Sequence, residues 1–456
     1  MSDLENKGIL QKLIRVGLPI AMQNLVATAL NLVDNVMIGS RGEIALTAVT
    51  LSNRVFFILA ITLYGVYSGM SIYTSQYWGK KDMVNIRKVM GMAMSLGFLL
   101  SFSVSILTQA FPRQIVGLFI DDPEVLAQGT DYLRIAALSY VPMAITFMFS
   151  FTSRSVHRAK IPMMTSIIAL STNTFINYLL INGNLGFPEL GVKGAAIATV
   201  ISRILEMILL LSIIYLAKDH PLAAKLKEMF SYGFPMFRKV FRTVLPVIIN
   251  ESAWSIGVSV YYVAYGFLGT ASVAALQVSL TISDLFWAFL IGIGNATAVL
   301  VGNQLGAENI QKAYHTARRL IVISLYISVF LAVFYLLAGN SMASLFRLSP
   351  DSMEIARMCI IVNAFYMPVK MLAFIFIVGI FRSGGDTRFC MLLDIGAIWV
   401  VGVPLAFLCV LVFKLPVYWC LAIVFSEEIL KVVISFFRFK NRKWINVLTV
   451  KGEADV

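Results

Sequence analysis

The sequence predicts an all-α polytopic membrane protein, with twelve transmembrane helices in two six-helix bundles related by a pseudo-two-fold axis along the membrane normal. Three observations carry that expectation: composition, the spacing of apolar windows, and an internal repeat. Of 456 residues 59% are hydrophobic and only 13% charged, whereas soluble domains sit nearer half apolar and a quarter charged. Mean hydropathy is +0.83, too apolar for a surface facing water.

Windows of about 20 apolar residues mark membrane-crossing helices. They fall at roughly 13–38, 46–76, 88–111, 131–152, 161–182, 193–217, 240–268, 273–302, 319–339, 354–381, 389–413 and 416–437. Several exceed the minimum for crossing, which implies tilt or curvature. The windows are apolar all round, whereas strands of a membrane barrel would alternate apolar and polar residues.

The net charge of +13 raises nucleic acid as a partner, but its distribution excludes that reading. With the amino terminus in the cytoplasm, Lys7, Lys12, Arg15, Lys80, Lys81, Arg87, Lys88, Arg154, Arg158, Lys160, Lys218, Lys225, Lys227, Arg238, Lys239, Arg242, Lys312, Arg318, Arg319, Arg382, Arg388, Arg438, Lys440, Arg442, Lys443 and Lys451 fall inside. Arg41, Arg113, Lys193, Arg347 and Lys414 fall outside, a ratio of about five to one in the sense of the positive-inside rule. Both termini are therefore expected in the cytoplasm of a multi-pass protein of the cell (inner) membrane, and the basic charge is expected to meet anionic lipid. The polar start MSDLENKGILQKLIR lacks the features of a cleavable signal. Cys359, Cys390, Cys409 and Cys420 lie in apolar windows and read as packing residues without metal-site spacing.

The chain repeats itself at an offset of 227 residues. Leu18–Pro19 falls on Leu245–Pro246, Val33 on Val260, Gly39 on Gly266, Gly65 on Gly292 and Gly79 on Gly306. Six helices per half place both halves the same way up, the arrangement of parallel-repeat transporters that work by alternating access. The expected domains are an amino-terminal bundle over 1–217, a basic cytoplasmic linker over 218–242, and a carboxy-terminal bundle with a basic tail over 243–456. Pro19 and Pro246 each remove a backbone hydrogen bond and are expected to kink the first and seventh helices.

Ionisable groups in apolar spans are costly and mark function by default. Asp34 stands in NLVDNVMIGS, where apolar residues continue past the acid; the aligned position in the second half is Tyr261. Asn173 and Asn177 share one helix face at i,i+4 spacing, and Thr199 adds a hydroxyl on the sixth helix. Amides in a span also serve as interhelical glue, so both readings stand on the residues alone. In the second half, Glu251 and Asp284 are the better cavity candidates, while Asp394, Glu427, Glu428 and Lys431 read as structural pairs. Arg203 and Glu206 are i,i+3 neighbours expected to pair, and Arg54 is a further basic residue in a span. His157, His220 and His315 are expected to be solvated in basic loops, and Asp386 in FRSGGDTRF to cap the eleventh helix. That stretch is no phosphate loop, because no GK[ST] follows. Nothing implies a cofactor, and neither ATP chemistry nor an intramembrane enzyme is expected.

The leading LP of the first and seventh helices, VDNVMIG, QYWGKKD, NQLGAEN, LGVKGAAIAT and FRSGGDTRF together resemble the multidrug and toxic compound extrusion (MATE) family, over about residues 10–445. The resemblance implies a cation site of Asp34, Asn173, Asn177 and Thr199 in the amino-terminal bundle, for Na⁺ or H⁺. Asn177 stands where some members carry an acid, which leaves one carboxylate, matching a single monovalent cation. It also implies a monomeric antiporter exporting amphipathic organic cations and drugs. Tyr261, Tyr265 and Trp287, with Glu251 and Asp284, are the expected lining of the substrate cavity, since aromatic faces and carboxylates attract organic cations. The alternative is a lipid-linked oligosaccharide flippase of the same superfamily, which needs a basic cavity where this chain's intramembrane charges are mainly acidic.

Overall fold

The computed structural model describes residues 2–217, 220–346 and 348–449. The expected basic positions Lys218, Arg347 and Lys451 lie outside the described residues.

Among the described residues the regular structure is helical throughout. We number the long helices α1 Ser2–Gly39, α2 Glu43–Gly79, α3 Met83–Ala110, α4 Pro123–Ser155, α5 Lys160–Asn182, α6 Val192–Leu216, α7 Phe234–Gly266, α8 Thr270–Gly306, α9 Ile310–Ala343, α10 Pro350–Phe381 and α11 Thr387–Val412. These 11 helices are long and apolar enough to cross a membrane. The twelfth, α12, comprises Val417–Val424 and Ser426–Lys440, divided at Phe425. Every apolar window thus became a helix or a pair of helical pieces, and the chain is a twelve-helix membrane protein. Pro19 and Pro246 lie inside α1 and α7, and both helices continue past their proline without a break.

Local chemistry sets several helix starts. The Asp82 carboxylate accepts the Asn85 backbone N–H at the head of α3. The Asp122 carboxylate accepts the N–H groups of Glu124 and Val125, with Pro123 opening α4. Each acid satisfies donors that the first turn leaves orphaned. Asp386 breaks the expected pattern. It occupies the position before α11 but makes no capping bond; both its oxygens instead accept from Arg438, at 2.8 and 3.0 Å. A fork-to-fork guanidinium pair is stronger than one neutral cap.

The chain forms two compact units. Unit 1 is Met1–Ala21, Ser75–Lys81 and Lys239–Val456; unit 2 is Met22–Thr74 and Asp82–Arg238. Inside unit 1 the repeat glycines Gly79 and Gly306 have a physical reason. A Cβ at Gly79 would fall on the Asn303 carbonyl, and one at Gly306 on the Gln76 carbonyl. The ends of α2 and α8 therefore touch backbone to backbone, which only glycine permits. Below them the tail is fastened to the same unit. Gln76 donates to the Ser383 and Asn446 carbonyls and accepts the Leu448 N–H. Trp444 is fully buried and stacks on Phe439.

The four cysteines are buried and free. His220 is buried rather than solvated. Its Nδ1 accepts the Leu222 N–H, and burial pushes its pKa below the ordinary histidine value, aided by the Arg158 charge. His315 stands within α9, not in a loop.

Candidate functional site

Unit 2 encloses a cavity of about 380 Å³, within the range of small-molecule sites. Five helices supply its polar residues, Ser139 coming from α4. On α1, Asn31, Asp34 and Asn35 line the cavity; they recur at i, i+3 and i+4 and so share one face. On α5, Asn173 and Asn177 do the same at i,i+4, and both are buried. Thr199, Ser202, Arg203 and Glu206 line it from α6, and Asn53 and Arg54 from α2. Phe56, Phe57, Tyr132 and Tyr140 supply aromatic wall.

The Asn177 amide organises the oxygen-rich part. Its Nδ2 donates to Asp34 Oδ1 at 2.9 Å and to Asn173 Oδ1 at 3.2 Å. With both hydrogens used, its own Oδ1 is buried without a donor. A buried acceptor left unpaired costs about 1–3 kcal/mol, a cost that a bound cation or N–H donor removes. Thr199 lines the same cavity, with its hydroxyl donating to the Ala195 carbonyl of its own helix. The structure therefore brings Asp34, Asn173, Asn177 and Thr199 to one cavity. These are hard oxygen groups of the kind that suit Na⁺ or a proton.

The two charged side chains of α6 that line the cavity are satisfied together. Arg203 Nη1 reaches Glu206 Oε2 at 3.0 Å, as the spacing predicts. Glu206 also accepts from Ser166 at 2.5 Å. Ser166 accepts from Gln23, and Gln23 from Arg154, at 2.7 and 2.8 Å. This relay joins α1, α4, α5 and α6. Sequence reasoning missed Gln23, Ser166, Asn31, Asn35 and Asn53. A glutamine inside an apolar helix and the two asparagines flanking Asp34 on one face were the available signals.

The expected substrate-cavity residues of unit 1 do not form one group. Glu251 is paired with Arg382 at 2.5 Å, the arginine being 3% exposed. Tyr261 and Tyr265 are buried in a packed core with Leu276, Ile398, Val410 and Leu421, and the Tyr261 hydroxyl donates to Glu427 at 2.8 Å. They are core residues rather than cavity lining, because apolar neighbours from several helices close around both rings. Trp287 packs edge-on against Phe374. Asp284 is exposed on α8. The remaining acids gather on one lysine: Lys431 Nζ lies 2.9 Å from Asp394, 3.4 Å from Glu428 and 3.6 Å from Glu427. The expected Glu428–Lys431 pair exists, within a larger cluster.

Comparison with known proteins places these features in a family. The MatE family model matches residues 19–179 and again 246–408, one match in each half of the repeat. The chain is 24% identical over 447 residues to a probable multidrug resistance protein NorM of Thermotoga maritima, covering 96% of this chain and 93% of that protein. It is 24% identical over 455 residues to the multidrug resistance protein MdtK of Pectobacterium atrosepticum, covering 95% and 96%. Among solved structures, a MATE crystal structure in complex with MaL6 shares the fold with a TM-score of 0.87 at 19% identity, over 94% of this chain and 95% of that one. A MOP superfamily transporter from Pyrococcus furiosus, noted for the reverse polarity of its binding pocket, shares it with a TM-score of 0.86 at 19% identity, over 94% and 95%.

Proposed function

The chain belongs to the MATE family of membrane transporters, and from that premise we propose that it is a cation-coupled antiporter, driven by Na⁺ or H⁺, that exports amphipathic organic compounds by alternating access. The relatives' names, multidrug resistance proteins, support drugs and toxic organic cations as cargo. The basic loops support cytoplasmic termini in the cell membrane.

One observation carries the coupling: a carboxylate, Asp34, held by Asn177 beside an amide oxygen that has no donor. An acid in an apolar span is costly, and a cation visiting it relieves both that cost and the orphaned Asn177 oxygen. Cation entry would then compete with cargo for the site and reset the pump. Pro19 lies on the same helix as Asp34, so a change in packing around Asp34 acts on an element that already lacks one backbone bond.

The test uses proteoliposomes with imposed Na⁺ or pH gradients and ethidium as cargo. Wild type is expected to show efflux driven by one of the two gradients, and Asp34→Asn to show only leak. Gradient-driven efflux that persists unchanged in Asp34→Asn removes the coupling role. Absence of drive from either gradient in the wild type overturns antiport and favours the flippase reading.

A further inference from the structure

Helix α2 passes from unit 2 to unit 1 between Thr74 and Ser75. The stretch it gives to unit 1 carries two polar side chains committed to distant partners. Gln76 is fully buried. Its amide nitrogen donates to the Ser383 carbonyl at 2.9 Å, in the turn between α10 and α11, and to the Asn446 carbonyl at 3.2 Å. Its amide oxygen accepts the Leu448 N–H at 2.8 Å. One turn on, Lys80 Nζ donates to the Thr449 carbonyl at 3.0 Å. Three of these four bonds go to the backbone of the segment that follows α12.

That segment is rooted away from α2. Trp444 is fully buried and stacks on Phe439 of α12 at 5.8 Å. Phe439 stacks in turn on Tyr314 of α9 at 4.9 Å, and Arg442 lies over the same Tyr314 ring at 4.5 Å. Asn446 donates to the Gly384 carbonyl at 2.9 Å. Residues 445–449 therefore run from an aromatic anchor on α9 and α12 across to the end of α2. At the same end α2 lies tightly on α8. Ser75 is buried, and a Cβ placed on Gly302 of α8 would fall 2.9 Å from its Cβ.

Helix α2 belongs to the first repeat, and α8 is its counterpart in the second. Alternating access requires the two repeats to part on one side of the membrane at a time. Parting at this end takes Gln76 away from three backbone groups in a buried place. A buried donor or acceptor stripped of its partner pays its full desolvation cost. The end of α2 therefore leaves α8 only when residues 446–449 let go of it.

We propose that residues 446–449 form a latch on the cytoplasmic gate, with Gln76 as the side chain it grips. The latch sets how readily α2 leaves α8, and so how often the transporter opens to the cytoplasm. Gln76 is a positioning residue in this scheme, acting on the gate and touching neither cation nor cargo. The assignment rests on the reading of the chain as an alternating-access antiporter whose basic loops are cytoplasmic.

The test reads gate opening as alkylation of Ser75→Cys by a membrane-impermeant maleimide, in inside-out vesicles holding the full-length protein. The four native cysteines are buried and set the background. Gln76→Leu keeps the bulk of the side chain without its bonds, and Leu448→Pro removes the N–H that Gln76 accepts. Each is expected to speed alkylation by about fivefold, the factor that one net hydrogen bond is worth. Unchanged rates in both variants overturn the latch. Acceleration by Gln76→Leu alone also overturns it, because that marks a disturbance of the neighbouring reporter. A second measurement leaves Gln76 intact. Lys80→Cys and Thr449→Cys are combined and joined by a short reversible thiol crosslinker. Gradient-driven ethidium efflux is expected to stop on crosslinking and to return on reduction. A merely structural tie is strengthened by the added bond, so efflux that continues while crosslinked overturns the latch. This measurement decides even if both single variants fail to fold. Wild-type efflux in the same vesicles separates the two readings. Efflux that neither the variants nor the crosslink alter overturns the latch and leaves antiport standing. Faster alkylation in both variants, without gradient-driven efflux in wild type, overturns antiport and leaves the latch standing.

Discussion

Position 34 and position 261 match in the repeat, yet the two halves use the position in opposite ways. In unit 2 it is an acid facing a cavity, held by one amide whose other end has no partner. In unit 1 it is a tyrosine sealed in a core, donating to Glu427. Glu427 in turn shares Lys431 with Asp394 and Glu428. The comparison teaches that unit 1 fills its oxygens with a side-chain cation that cannot leave, whereas among the described residues no lysine or arginine lies within ion-pairing distance of Asp34. Gly402 keeps that arrangement closed, since a Cβ there would strike both the Tyr261 hydroxyl and the Glu427 carboxylate. On the proposed function one bundle thus keeps an exchangeable site, and its counterpart a permanent one.

The largest effect is expected from breaking the permanent site. Lys431→Met keeps the bulk of the stem but leaves three carboxylates without their shared cation. Removing one partner of a buried ion pair costs about 3–5 kcal/mol, so thermal unfolding in detergent is expected at a much lower temperature than for wild type. A variant as stable as wild type would show that another cation fills the place, and the contrast between the halves would disappear.

The converse change, Asp34→Asn, strikes the site proposed to be exchangeable. Here stability is expected to hold, because the Asn177 amide retains a neutral acceptor. The loss is expected in coupling instead. One charge moving through about 100 mV is worth roughly 2.3 kcal/mol, which corresponds to about a fiftyfold accumulation ratio. Ethidium gradients measured at steady state in energised vesicles are expected to shrink by that order. A variant that unfolds early yet retains its gradient would reverse the roles assigned to Asp34 and Lys431.

Much of this contrast was legible in the sequence, and the part that was not has a clear cause. All twelve helices could be placed because a membrane demands long apolar runs, a signal strong enough to survive uncertain ends. The cluster around Asp34 was legible because polar residues are rare in such runs and Asn173 and Asn177 recur at helical spacing. The partners of unit 1 were not. Glu251 and Asp284 looked equivalent as acids in spans, but one meets Arg382 while the other is exposed; only the fold decides which distant residue lies opposite. Tyr261 and Tyr265 looked like cavity lining for the same reason, since an aromatic in a membrane helix reads alike whether it faces a cavity or a core. Asp386 failed as a cap because Arg438, far along the chain, offered its carboxylate two charge-assisted bonds.

A smaller effect tests whether unit 1 has any share in coupling. Tyr261→Phe removes one hydrogen bond to Glu427 while Lys431 continues to hold the carboxylate. A bond to a charged group is worth about 1.5 kcal/mol at the low end, and that loss of stability is expected with the Na⁺ and pH dependence of efflux unaltered. A shift in either dependence would assign position 261 to a second coupling site and make the halves alike after all.

The smallest effect provides the control for burial. Arg41 and Glu189 form an ion pair within unit 2, with side chains 37% and 54% exposed, against 2% for Lys431. Water screens an exposed pair and already solvates each charge when the other is removed, so such pairs contribute under about 1 kcal/mol. Glu189→Gln is therefore expected to leave thermal unfolding almost unmoved, and raising the salt concentration to abolish what difference remains. The Lys431 cluster is expected to respond little to salt, since ions do not reach it. If Glu189→Gln were as damaging as Lys431→Met, the cost at Lys431 could not be ascribed to stranding carboxylates in the interior. The distinction between a sealed cation and an exchangeable one would then lose its physical basis.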